Sequence, residues 1–412
     1  MTCSLGLDAV TACAAARSGL TRSLPLDCFS VQSPEDGSIE AAIGHPAPLV
    51  TAGFEGNARL VRLMQAALTD LLRNIDRPPE NKRTAFYLSL PDPDRLGTGK
   101  NLMQEEGFVK KEEPETVSED DDPSNDTELS LTEEEEEIEK DDDTDGDDLF
   151  VNLMEESTEP YRIGTKAQAM LQKAAQLSGW SQQLQLRGVA VSGNTGVAEV
   201  VQNAIHDLSS GEVDCAIVGG VDSWLDENLL MWLEDTGRLK TPASPVGFQP
   251  GEAAAFMLLQ NMQIYEACPC RGFTSIIDVR IGEEQNTLLS GTISKGRVLA
   301  NLLAETAEPT RWSQVEAPWL IVDQNGEIYR ALEWGNASVH LLSKNAAFVS
   351  PILWCPAASF GDTGAASGAV AISTAIRAFA RNYALHQEVA VVSSSDGACR
   401  SVILLRHVSS QP

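Results

Sequence analysis

Short apolar runs alternate with segments of helical periodicity along most of the chain, which predicts an α/β protein. In the first part we predict helices at 57–74, 164–179 and 195–211, and strands at 85–92, 184–192, 214–223 and 253–260. The strand at 184–192 runs directly into the helix at 195–211, so a sharp turn must connect them.

The second part of the chain repeats this order of elements. We predict strands at 273–282, 317–326 and 350–362, helices at 296–307 and 363–384, and a terminal strand pair at 388–394 and 399–406. Two halves of similar construction are therefore expected, the first from 1–96 and 161–262 and the second from 263–412. Strand–helix alternation alone is compatible with several α/β folds.

The pattern collapses between residues 97 and 160. Residues 101–160 hold 26 of the 60 acidic residues and only 3 of the 30 basic ones. Few apolar side chains and one sign of charge predict a disordered acidic insertion. One interpretation is a tolerated insertion that aids solubility; the other is a docking segment for a basic partner. The docking interpretation uses the apolar patch Leu149, Phe150, Val151, Leu153 and Met154.

Composition excludes several classes of function. The rest of the chain has 34 acidic and 27 basic residues, so it lacks the excess of clustered Lys and Arg that nucleic-acid binding requires. Neither a long apolar run nor a signal peptide is evident, which favours a cytoplasmic protein without a membrane span. Cys268 and Cys270 are too close together, and too far from any His, to form a zinc site. We therefore expect no metal and no cofactor.

Two motifs in the stretch 211–260 carry a resemblance to a known family. They are Gly219-Gly220-Val221-Asp222-Ser223, at the end of a strand, and Gly247-Phe248-x-x-Gly251-Glu252, ahead of the next strand. Both resemble the thiolase-fold β-ketoacyl synthases, as does the opening segment, which begins about where the family's first strand ends. The resemblance implies a duplicated, thiolase-like, five-layered α-β-α-β-α fold and covers nearly the whole chain outside the acidic segment.

The catalytic positions implied by this resemblance are occupied by unsuitable residues. The family's nucleophilic Cys stands at a strand-to-helix turn, and the matching position here is Asn194. An amide cannot attack a thioester. The two His positions of the family match Asn325 and Asp362, and its glycine-rich gate loop matches residues 394–397. The five His residues lie elsewhere and are expected at the surface or at helix caps.

The chain is therefore interpreted as a pseudoenzyme with no intact catalytic residue. Two alternatives stay open: a hydrolase or acyltransferase that uses Ser192 with Asp362, and a pocket that binds an acyl chain or an acyl carrier without chemistry. A true β-ketoacyl synthase of fatty-acid or polyketide synthesis, or a non-catalytic subunit of one, is the rival function.

Protein partners are implied by resemblance as well. Ketosynthases and thiolases are typically dimers joined through the strand ahead of the nucleophile turn, here 186–192, which implies a homodimer or a heterodimer with a homologous subunit. The phrases at 4–20 and 326–337 resemble thiolase-like proteins found beside type VI secretion effectors. This resemblance implies a protein-binding accessory or adaptor role, with an effector as partner.

Overall fold

The computed structural model describes most of the chain outside the acidic segment. The described residues are 1–34, 36–75, 83–92, 147–180, 184–261, 274–307 and 317–408, with side chains described from Arg162 onward in the segment that starts at 147. Cys268 and Cys270, and most of the predicted acidic insertion, lie outside them. A helix that spans Asp147–Ser178 begins 17 residues before the helix predicted at 164–179.

The elements of the described residues follow, numbered in chain order. The strands are β1 (Thr2–Cys3), β2 (Leu24–Gln32), β3 (Ile39–Gly44), β4 (Thr84–Ser89), β5 (Leu186–Ala190), β6 (Cys215–Ser223), β7 (Glu252–Gln260), β8 (Thr274–Glu283), β9 (Trp319–Val322), β10 (Ile352–Trp354), β11 (Glu388–Ser394) and β12 (Cys399–His407). The α-helices are α1 (Ala9–Arg17), α2 (Pro48–Thr51), α3 (Gly56–Asn74), α4 (Asp147–Ser178), α5 (Gly196–Ser209), α6 (Glu227–Asp235), α7 (Arg297–Ala307), α8 (Ile328–Lys344), α9 (Ala357–Phe360) and α10 (Ser367–Ala380).

Two five-stranded sheets have the same topology. The first has the order β1-β7-β6-β4-β5 and the second the order β8-β12-β11-β9-β10. In each sheet the first two pairs are antiparallel and the last two are parallel. This repetition is the duplication that the sequence predicts. A small hairpin of β2 and β3 lies outside both sheets.

Three helical layers enclose the two sheets. Helices α5 and α10 pack between the sheets and fill the largest apolar core with α1. Helices α3 and α4 cover the outer face of the first sheet, and α7 and α8 cover the outer face of the second. The arrangement is the five-layered α-β-α-β-α fold, so the predicted fold class is confirmed. None of the described helices is long and apolar enough to span a membrane.

Three segments differ from the predicted elements. The strand expected at 350–362 is limited to Ile352–Trp354, since the chain turns at Pro356 into the short helix α9. Residues 21–55, which the sequence predicts to be irregular surface structure with a possible short strand, contain the β2–β3 hairpin. Helix α8 was not predicted, because its apolar side chains lie on both of its faces and weaken the one-sided pattern.

The paired glycines of the first motif allow close packing at the junction of the two halves. A Cβ on Gly219 would lie 2.2 Å from the carbonyl oxygen of Ala255, on the neighbouring strand β7. A Cβ on Gly220 would lie 2.5 Å from the carbonyl oxygen of Ala365, in the turn ahead of α10. Any side chain at either position would push these elements apart, because contacts this short are repulsive.

Candidate functional site

The turn between β5 and α5 presents Asn194 to the junction of the two halves. After β5 the chain forms a single 3₁₀ turn, Gly193–Thr195, with Gly193 at φ +59°. The Asn194 side chain is buried, and its amide nitrogen donates to Asp323 Oδ2 at 3.3 Å. The residue at the N-terminus of α5 is therefore an amide that contacts a carboxylate of the second half.

Asp323 follows strand β9 and accepts hydrogen bonds from three sides. Besides Asn194, its Oδ2 atom accepts from the Arg330 guanidinium at 2.9 Å and from the Ser394 backbone N–H at 2.7 Å. Burial raises the pKa of Asp323 to about 6, although the charge of Arg330 acts in the opposite direction. The carboxyl group is thus held in place by donors from both halves of the chain.

Asp362 and Asn325, the other two predicted positions, contact each other directly. Its Oδ2 atom accepts from the Asn325 amide at 2.6 Å, and its Oδ1 atom accepts from the Gly364 N–H at 2.7 Å and from the Trp224 indole at 3.2 Å. The carboxylate thus holds the turn that opens the 3₁₀ segment Gly364–Ala366 ahead of α10. Its hydrogen bonds resemble those of a helix-capping residue more than those of a general base.

Two buried arginines tie the remaining acidic groups together. Arg238 donates to Glu327 at 2.7 Å and to Asp396 at 2.9 Å. Arg330 donates to Asp396 at 3.2 Å and also to the Ser394 carbonyl oxygen. Burial disfavours the charge of Arg330, but the carboxylates of Asp323 and Asp396 outweigh it and raise its pKa. The loop 394–397, predicted to match a gate loop, is therefore fixed by ion pairs.

A small cavity lies at the centre of this cluster. Its lining includes Asn194, Asp323, Asp362, Thr363 and Ser393, and its volume is about 20 Å³. A volume of this size holds about one water molecule, so an acyl chain does not fit. Among the described residues, no group of three or more His, Cys, Asp or Glu side chains is arranged to hold a metal ion.

The alternative nucleophile Ser192 does not meet Asp362. Its hydroxyl donates to Glu199, which also accepts from the Cys399 thiol at 3.4 Å. Asp362 accepts from other donors, so the structure does not pair it with Ser192 as that alternative requires. Burial raises the pKa of the Cys399 thiol despite its hydrogen bond with Thr195, which disfavours the reactive thiolate. A serine or thiol nucleophile needs an adjacent base, and the partner of both groups here is a carboxylate rather than an imidazole.

The structure brings the three predicted positions together but also shows residues that the sequence analysis missed. Asn194, Asn325 and Asp362 lie within one hydrogen-bonded cluster, whereas Asp323, Arg330 and Arg238 were not singled out. A buried Arg in an apolar helix is the one sequence signal that could have pointed to Arg330. The structure does not describe the side chains of the predicted docking patch, which are those of Leu149, Phe150, Val151, Leu153 and Met154.

The predicted location of one histidine was also wrong. His45 was expected at the surface or at a cap, yet it is fully buried between the Gly-Phe motif, at 249–251, and the turn at Gly361. Its Nε2 atom pairs with Gln249 Oε1 at 3.1 Å, and burial lowers its pKa. A neutral His in this position supports packing beside Gly361 rather than proton transfer.

Comparison with known proteins gives matches in structure and none in sequence. No protein-family model matches the chain, and neither does any curated protein. The structure is similar to the ishigamide ketosynthase/chain length factor, with 14% identity, a TM-score of 0.59, and coverage of 99% of this chain and 97% of that one. A type II polyketide-synthase acyl-carrier protein in complex with its ketosynthase, AntDE:AntF, matches with 11% identity, a TM-score of 0.58, and coverage of 88% and 87%.

A third similar structure is a modular enzyme domain. A mutant form of the ketosynthase from module 6 of the bacillaene synthase of Bacillus subtilis 168 matches with 13% identity and a TM-score of 0.57. The match covers 87% of this chain but only 58% of that one. At these identities the likeness shows the fold, which is the thiolase-like fold of the ketosynthases.

Proposed function

We propose that this protein is a non-catalytic relative of the ketosynthases that acts by binding another protein. The filled site carries the proposal. Asn194 stands at the turn before α5, Arg330 and Asp323 occupy the space in front of it, and about 20 Å³ remains. A condensing enzyme needs a thiolate at this turn and room for an acyl thioester beside it. The site provides neither.

The charge pattern of the site supports a structural role. Asp323, Glu327, Asp362 and Asp396 are hydrogen-bonded to buried donors, and the two arginines are engaged with the acids. A catalytic acid or base must reach a substrate atom, whereas the hydrogen bonds of these groups go to other residues of the junction. Their hydrogen bonds join both halves and the loop 394–397 into one rigid junction.

The edge of the first sheet is the proposed binding surface. Strand β5 is the last strand of that sheet, and among the described residues no strand pairs with its outer edge, although the Leu186 N–H donates to Gln168 Oε1 at 3.2 Å. An unpaired strand edge presents N–H and C=O groups that another strand can extend. A homologous subunit is one candidate partner, and the ketosynthase/chain length factor structure offers a precedent for two related chains. A type VI secretion effector, implied by the sequence resemblance, is the other.

Binding at β5 can be measured by backbone hydrogen exchange. We expect a tagged chain to co-purify with proteins encoded by neighbouring genes, and the amides of Leu186–Ala190 to exchange at least about tenfold more slowly in the complex. The amides of β10, at the equivalent edge of the second sheet, serve as the internal control and should not change. Recovery of the chain alone, or equal protection of both edges, would count against the proposal.

Restoring the thiol should not restore acyl transfer. We expect neither the natural chain nor Asn194→Cys to gain the mass of an acyl group from an acyl thioester, because Asp323 and Arg330 fill the space an acyl chain would need. Mass spectrometry of the intact protein measures this directly. Ser210→Cys, at the exposed end of α5, is the control for thiol labelling with a small alkylating agent. Acylation of the natural chain would contradict the non-catalytic role, and acylation of Asn194→Cys alone would contradict the filled site.

A further inference from the structure

Helix α8 directs an apolar face to solvent. Ile328 is 56% exposed, Leu332 41%, Val339 70% and Leu342 48%. The opposite face of the helix packs on the second sheet through Ala337 and Leu341. An exposed row of large apolar side chains along a whole helix is uncommon on a monomer and marks a surface for association.

The spacing of this face is that of a helix-pairing seam. The positions 328, 332, 335, 339 and 342 are separated by four, three, four and three residues, which is the a/d heptad pattern. Gly335 stands at the middle position, and Ala331 adjoins it on the exposed side. Small residues at the centre let two helix backbones approach closely, while the larger side chains on either side interlock.

The face is also uncharged. The charged side chains within α8 are Arg330, Glu333 and Lys344. The first two are buried in the protein, and Lys344 Nζ donates to Asn301 Oδ1 at 2.7 Å, beside α7. In a chain of formal net charge −30, an uncharged face is where two copies can meet with least repulsion.

The loop ahead of α7 widens the surface. Leu289 is 72% exposed and Ile293 is 59% exposed. Two hydrogen bonds hold this loop against α8: Tyr329 Oη donates to the Asn286 carbonyl oxygen at 2.9 Å, and Asn336 Nδ2 donates to that of Ser294 at 2.7 Å. The apolar surface therefore extends beyond a single helix.

We propose that α8 is the interface for a second copy of this chain, with the two helices antiparallel about a two-fold axis at Gly335. The seam is symmetric about this residue: Ile328 would meet Leu342 of the second copy, and Leu332 would meet Val339. A two-fold interface requires such self-complementarity, which a surface for an unrelated helix does not. The antiparallel arrangement also places opposite helix dipole ends side by side. The proposal is independent of partner binding at β5, which lies on the other sheet.

A charge in the seam should separate the copies. We expect sedimentation to show a dimer of the full chain, and Val339→Glu to weaken dimerisation at least about tenfold, because the charge would be buried on association. Leu49→Glu, on α2 and 72% exposed, is the matched control and should stay dimeric. A monomeric natural chain would overturn the proposal. A dimer that persists in Val339→Glu would overturn it as well, because a dimer formed through β5 would not be affected by this substitution.

Cross-linking distinguishes the antiparallel pairing from other arrangements. In a Cys28→Ser background, Gly335→Cys should form a disulfide-linked dimer under mild oxidation, because the two copies of this residue meet at the axis. Lys344→Cys should not, since its two copies would lie about 27 Å apart along the helices. The Cys28→Ser parent is the blank for the other cysteines. Equal cross-linking at both positions would indicate a parallel pair, and none at Gly335→Cys would indicate another occupant; either result overturns the proposal.

Discussion

Arg330→Met is expected to lower the free energy of unfolding by about 3–5 kcal/mol. The arginine side chain is 3% exposed, and its guanidinium contacts Asp323 at 2.9 Å and Asp396 at 3.2 Å. Methionine fills much of the same volume but leaves Asp323 without its cation, whereas Asp396 keeps its ion pair with Arg238. Urea unfolding measures the loss. Arg280→Met is the control, because Arg280 pairs with Asp278 at 2.7 Å with 37% of its side chain exposed, and its removal should cost no more than about 1 kcal/mol.

The pH dependence of stability shows whether Asp323 is the carboxylate that loses its cation in Arg330→Met. The pKa of Asp323 in the folded protein is already raised to about 6, against about 3.9 for an unfolded Asp, so the folded state retains a proton that the unfolded state has released. Its stability therefore falls as pH rises through this window. Loss of Arg330 raises the folded pKa further, so Arg330→Met should cost less at pH 5 than at pH 8. Adding Asp323→Asn to Arg330→Met should recover part of the lost free energy of unfolding. If the double variant were no more stable than Arg330→Met, the loss would come from packing rather than from the carboxylate.

Arg59→Met is expected to cost about 3 kcal/mol or more. Glu252, the last residue of the Gly-Phe-x-x-Gly-Glu motif, is fully buried at the first position of β7. Arg59 binds both of its carboxylate oxygens, at 2.6 and 3.1 Å, and Thr51 and Ser223 donate to it as well. Without Arg59 the carboxylate would keep its hydroxyl donors but lose its only described counter-charge.

The matched control is an exposed pair of the same chemistry. Arg83 contacts Asp214 at 3.1 Å with 61% of its side chain exposed, so Arg83→Met should leave the stability nearly unchanged. Thermal unfolding of both variants at pH 7 would compare them. If Arg59→Met were as mild as Arg83→Met, the motif would not depend on this ion pair.

The motifs were informative because they describe backbone geometry. Gly219 and Gly220 are required where strand β6 passes within contact distance of β7 and of the turn before α10, and this restriction is visible in the residue type. Ser223 and Glu252 are partners in the β6–β7 register and share a hydrogen bond of 3.0 Å, which joins the two motifs. Asp222 accepts from the Ala365 N–H at 2.7 Å and so links the halves.

The sequence by itself determined the α/β class, the repetition of two halves, and the presence of Asn194 at the turn ahead of α5. These follow from apolar periodicity and local motifs, because such patterns depend only on residues that are close together in the sequence. The structure alone decided that Asp323, Arg330 and Arg238 join one cluster around the site, because Arg238 is far from the other two in sequence and shares Asp396 with Arg330 only in the folded chain. It also decided the exposed face of α8: its apolar residues could equally have faced the core, and only the packing of α8 on the second sheet leaves them in solvent.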